Sequence, residues 1–151
     1  MNTAVSTSAR FRAVRERAGL SIAETAARVG VSEPCVWDLE TYDDELMTVC
    51  SPADLQRFAG AFSVPPSAIV GTEERDDAIS AGELASAIRE HCRTRGMTLN
   101  DFGDAAGWDV SKAADAPQLL LTDFSLDGIR DICRESGLDW QRFISGLSTA
   151  G

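Results

Sequence analysis

The sequence predicts an all-α protein made of two small helical units in tandem, and three observations carry that expectation. Helix-start signals recur along the chain while strand signals are scarce, apolar residues return at intervals of three and four, and the pattern restarts after a charged segment near the middle. At 151 residues, 44% of them hydrophobic, the chain has the size of one ordinary domain or two small ones.

Phe11, Val14 and Ala18 share one helical face and predict a first helix over 9–18, left through Gly19. Ser21-Ile-Ala-Glu24 sets a hydroxyl three residues before a carboxylate, a capping box that opens a helix over 22–29 ending at Gly30. Ser32 with Pro34 opens a third over 33–42, since proline in a first turn gives up no helical hydrogen bond. Tyr42 to Cys50 reads equally as an extension of that helix or as an acidic loop. Ser51 with Pro52 opens a helix over 52–62, whose Leu55, Phe58, Ala59 and Phe62 form one face, and a short helix over 66–70 follows. The polar run Gly71 to Ser80 contains Glu73, Glu74, Arg75, Asp76 and Asp77 and reads as a linker. It divides the chain into units 1–71 and 80–151, with 72–79 between them.

Sliding the sequence by 77 residues aligns Phe11 with Ile88, Gly19 with Gly96, Ser21 with Thr98 and Gly30 with Gly107. A slide of 74 then pairs Leu55 with Ile129, Phe58 with Ile132, Val64 with Leu138 and Ile69 with Phe143. The second unit therefore reads as a divergent internal duplicate that has lost three residues between its third and fourth helices. Thr98-Leu-Asn-Asp101 repeats the capping box of the first unit.

A net charge of −10 argues against general affinity for nucleic acid or anionic membrane, because a surface that tracks phosphates needs clustered Lys and Arg. The charge is unevenly spread. Residues 1–28 hold five arginines against two glutamates, whereas the stretch between Arg28 and Arg57 holds seven acidic residues and no lysine or arginine. Cys35, Cys50, Cys92 and Cys133 stand far apart with no C-x-x-C pair, so they read as free buried thiols. No stretch has the pattern of a signal peptide or the length of a membrane span, which places the chain in the cytoplasm by expectation.

The stretch from Phe11 through Ala-Gly19-Leu-Ser-Ile-Ala-Glu24 to Val-Gly30-Val-Ser32, followed by Leu55 to Gly71 with its Pro65-Pro-Ser-Ala-Ile69, resembles the phage-repressor-like, or xenobiotic-response-element, helix-turn-helix family. The resemblance spans about residues 9–71 and reaches 80–147 only through the internal repeat. It implies tandem five-helix, lambda-repressor-like helix-turn-helix domains. It also implies a second helix crossing the phosphate backbone and a third lying in the major groove. On this chain the family's phosphate-contacting position is Ile22, and its base-reading positions are Glu33, Pro34, Trp37 and Asp38. Neither Ile22 nor Pro34 offers a side-chain hydrogen bond. The family's glutamate–arginine pair between the third and first helices falls on Glu40 and Arg15, and implies a structural ion pair.

One acidic reader can accept from cytosine N4. Six carboxylates, Glu33, Asp38, Glu40, Asp43, Asp44 and Glu45, face a different problem against a polymer with one charge every ~1.7 Å. Salt with a Debye length of ~8 Å does not screen close approach. Direct docking on DNA in the family manner is thus disfavoured. Val36 and Leu39 take the inward phase of the third helix, which turns Trp37 partly outward beside Glu33 and Asp38; it reads equally as an aromatic hot spot ringed by charge or as a tryptophan folded onto its own domain or onto the second unit. The counterpart in the second unit, Asp109 to Ala116, has only Lys112 as a cation and stops at Pro117, so that unit reads as degenerate. His91 aligns with Val14 and reads as a partly buried histidine.

There is no glycine-rich phosphate loop, no nucleophile set and no metal-ligand spacing, so no catalytic residue, metal or cofactor is expected. The expected function is regulatory, acting through a basic protein partner or self-association at Glu33, Trp37, Asp38, Asp43, Asp44 and Glu45. DNA mimicry and an antitoxin or immunity-like role are forms it could take. The alternative is a sequence-specific DNA-binding regulator that uses Arg10, Arg12, Arg17 and Arg28 of the first two helices.

Overall fold

Residues 5–147 are described by a computed structural model, and among them eleven α-helices and no strand are found. Helix α1 (Thr7–Arg17) begins two residues earlier than its apolar face predicts, because the Ser6 hydroxyl accepts from the Ala9 amide. Ala18, assigned to that face, is its exposed C-cap. Helix α2 (Ile22–Val29) opens on the Ser21–Glu24 capping box, and α3 (Glu33–Thr41) on Ser32, whose hydroxyl accepts from the Cys35 amide at 3.3 Å. Helix α3 ends one residue short of the predicted boundary, with Tyr42 extended as its cap.

The Tyr42–Cys50 stretch is neither of its two expected forms. It turns through Asp43 and Asp44 and then forms a separate short helix, α4 (Glu45–Val49), pinned by the fully buried Leu46. Helices α5 (Pro52–Phe62) and α6 (Pro66–Val70) complete the first half. The second half contains α7 (Ala81–Arg95), α8 (Leu99–Ala106), α9 (Leu119–Thr122), α10 (Leu126–Glu135) and α11 (Trp140–Gly146). Between α8 and α9, residues 109–115 are turns and irregular backbone. The Asp109 carboxylate accepts from both the amide and the hydroxyl of Ser111, a local closure that competes with a helical start.

Phe11 meets Phe58 and Phe62 edge to face, at centroid distances of 5.1 and 5.5 Å, and fastens α1 to α5. Buried side chains run on without a break into the second half, through Leu46 and Leu55 to Leu120, Leu126, Ile129 and Phe143. Each large apolar side chain so buried contributes roughly 1.5–3 kcal/mol.

Residues 72–79 lie along α11. The Glu73 amide donates to the Gln141 side chain at 3.0 Å, the Arg75 amide to the Ser145 hydroxyl at 2.8 Å, and the Ile79 amide to the Arg142 carbonyl at 3.0 Å. Arg75 also pairs with Asp77 and Asp139. The approach is close enough that a Cβ at Gly146 would stand 2.0 Å from the Ile79 carbonyl oxygen, which excludes any larger residue. Among the described residues no helix is long and apolar enough to cross a membrane.

Candidate functional site

Helix α3 is held by its inner face. Val36 and Leu39 are fully buried, and Arg15 of α1 grips Glu40 through two hydrogen bonds, one of them 2.9 Å from Nη2. Arg15 Nη1 also donates to the Leu20 carbonyl at 2.7 Å, so the guanidinium ties α3, α1 and the turn before α2 together. The hydrogen bonds that Arg15 donates to Glu40 raise its pKa above the ordinary value, and the pair is a buried fixture with nothing to offer a ligand.

With that face fixed, the 3.6-residue period turns Glu33, Pro34 and Trp37 to solvent. Trp37 is 51% exposed, and so is Tyr42, which approaches it edge to face at 6.2 Å. Tyr42 is not a residue that the helical period assigns to this face. Its extended backbone (φ −112°, ψ 123°) takes it out of helical phase, so helical periodicity did not pair it with Trp37. Ile22, Glu33, Pro34 and Trp37 line an open cleft of about 400 Å³ where the starts of α2 and α3 meet. Ile22 and Pro34, which give no hydrogen bond to a phosphate or base, supply aliphatic walls instead.

The acidic residues divide into different settings. Glu33 is exposed and Asp38 half-exposed on α3, beside the aromatic pair. Asp43 turns the other way: it accepts from the hydroxyl and the amide (3.3 Å) of Ser8, in the first turn of α1. Those bonds hold its carboxyl below the usual carboxylate range. Asp44 is the exposed N-cap of α4 without a side-chain bond, and Glu45, in the first turn of α4, is half-buried.

The arginines differ as sharply. Arg12 pairs with Glu16 at 2.8 Å on the surface of α1. Arg10 is half-buried against Gly71, where a Cβ would stand 2.5 Å from its guanidinium. Arg17 and Arg28 are exposed, with no ion pair within 4 Å among the described residues. In the second half Lys112 is exposed on the irregular segment. His91 is half-buried, edge-on to Phe102 at 5.7 Å. Burial pushes the thiols of Cys50 and Cys133 up to about 12, so both stay protonated and unreactive at neutral pH.

The model of the helix-turn-helix domain family matches residues 8–69, which is the span of α1 to α6 less their outermost residues. None of the curated proteins and none of the solved structures compared with the chain matches it. The order of the helices, the capping box and αL exit of α2, the α2–turn–α3 pair and the family match converge, and residues 8–69 are a helix-turn-helix domain of the phage-repressor-like, xenobiotic-response-element type.

Proposed function

We propose that the chain is a regulatory helix-turn-helix protein whose α3 face takes a basic protein partner in place of duplex DNA. The observation that carries this reading is the exposed Trp37–Tyr42 pair at the cleft lined by Ile22, Glu33, Pro34 and Trp37, with the half-exposed Asp38 next to Trp37 in the chain. A face meant for the major groove needs donors to phosphates and base edges. Here the groove-facing positions supply carboxylates, a proline and a large aromatic, and α3 has no cation at all. An exposed aromatic rimmed by charge is instead the composition of an interface hot spot, in which the ring is buried on binding and the carboxylates meet Lys or Arg at the rim. An antitoxin-like or immunity-like protein that neutralises a co-expressed effector is one role of this kind, and occupation of another protein's DNA-binding groove is another.

The test is affinity purification of the full chain from its native cells, comparing wild type with Trp37→Ala and with Glu33→Lys/Asp38→Lys. Reversal at Asp43 is avoided because that carboxylate accepts from the amide and hydroxyl of Ser8 in the first turn of α1. Both variants are expected to lose a partner that the wild type retains, the alanine variant by about thirtyfold in affinity, as truncation of a hot spot costs about 2 kcal/mol. Equal recovery by all three proteins would remove the reading.

A second reading is supported by Arg17 and Arg28 on α1 and α2, exposed cations with no ion pair among the described residues. In it the domain binds duplex DNA through those arginines, with Arg10 and Arg12 assisting. Binding would then weaken steeply with salt and vanish when Arg17 or Arg28 is replaced.

A further inference from the structure

The two halves of the molecule meet with a symmetry that unrelated helices have no reason to adopt. An offset of 74 residues, which carries Glu45 to Leu119 and Pro52 to Leu126, lays α4, α5 and α6 onto α9, α10 and α11. Local details follow the same offset. Ser51 and Ser125 cap α5 and α10 with their hydroxyls. The two helices are left through Ser63 and Gly137, both at positive φ (56° and 76°). The next amides, Val64 and Leu138, close those exits by donating to the carbonyls of Ala59 and Cys133 at 3.1 and 2.9 Å. Ser63 is the one non-glycine residue with positive φ among the described residues, so this left-handed exit is kept even where the side chain resists it.

Across the junction, α4 packs on α10, α5 on α9, and α6 on α11. Exchanging every helix for its counterpart turns the first contact into the second and leaves the third unchanged. Such exchange is the property of a two-fold, isologous interface. One bond departs from it for a chemical reason. The Leu126 amide donates to the Cys50 carbonyl at 2.8 Å, and the symmetric bond would have to start from Pro52, which has no N–H.

We propose that residues 80–147 are a second helix-turn-helix-type unit docked on the first across a pseudo-two-fold axis, so that the chain carries its own dimer partner. The α4–α5–α6 face, where a second copy would dock to make a symmetric pair, is filled in cis by α9, α10 and α11. The molecule is then a single-headed monomer. Its first unit presents a complete α3, whereas the matching segment 109–115 of the second is irregular. A dimeric helix-turn-helix reader sets two such helices into successive half-sites one turn apart. This chain has one helix to offer, and it binds one partner molecule per chain. The inference rests on packing and is independent of what α3 binds.

Native-state amide exchange of the full chain, followed over a range of protein concentrations together with sedimentation, tests it. The Leu126 amide is expected to exchange as slowly as the slowest amides of α5 and α10, unchanged by concentration, in a species of 16.2 kDa. Exchange of Leu126 at the rate of an open loop while α10 stays protected would overturn the proposal. So would protection and mass that rise together with concentration, the mark of contact between chains.

Discussion

At the scale of single residues, Arg15 and Glu40 do the most to fix the position of α3. Both side chains are nearly buried, and removing one partner strands the other's charge out of water. Glu40→Gln is expected to lower the unfolding free energy by about 3 kcal/mol in urea titrations, and Arg15→Met/Glu40→Leu to recover most of that loss; an unchanged midpoint for Glu40→Gln would contradict the assignment. Asp43 acts at the surface and through pH. Ser8 depresses its folded-state pKa, so its stabilising contribution is present above the ordinary carboxylate pKa and is lost as pH falls through the folded value. Thermal melting of wild type and Asp43→Asn across pH should therefore show a gap at neutral pH that closes in acid. A gap constant with pH would assign the effect elsewhere.

At the scale of elements, α3 has two faces with opposite duties. Leu39→Ala on the inner face should destabilise by about 2–5 kcal/mol. Trp37→Ala on the outer face should leave stability within about 0.5 kcal/mol and act on partner binding alone; a large loss of stability would show that Trp37 serves the fold. Most helices were legible because their signals are local. The hydroxyl–carboxylate pairs Ser21–Glu24 and Thr98–Asp101 and the prolines after Ser32 and Ser51 act within one turn. Helix α4 was not legible. It has no side-chain cap, and its anchor, Leu46, is fixed by packing that includes α10, distant in sequence. Of the candidate site, Trp37, Glu33 and Asp38 could be placed by helical phase. Asp43 and Tyr42 could not, since one is turned by Ser8 and the other by an extended cap.

At the scale of the whole molecule, sequence alone exposes the conflict between the resemblance to a family of DNA readers and an acidic third helix, because charge is counted without coordinates. It leaves undetermined how the halves dock, since contacts such as Cys50 with Leu126 depend on long-range packing. The proposed exclusion of duplex DNA by the α3 face is tested most directly by a low-salt titration of the full chain with random-sequence and genomic duplexes. The expected result is no saturable binding, with Arg17→Ala and Arg28→Ala indistinguishable from wild type. Saturable binding that falls steeply with salt and disappears in those two variants would contradict it.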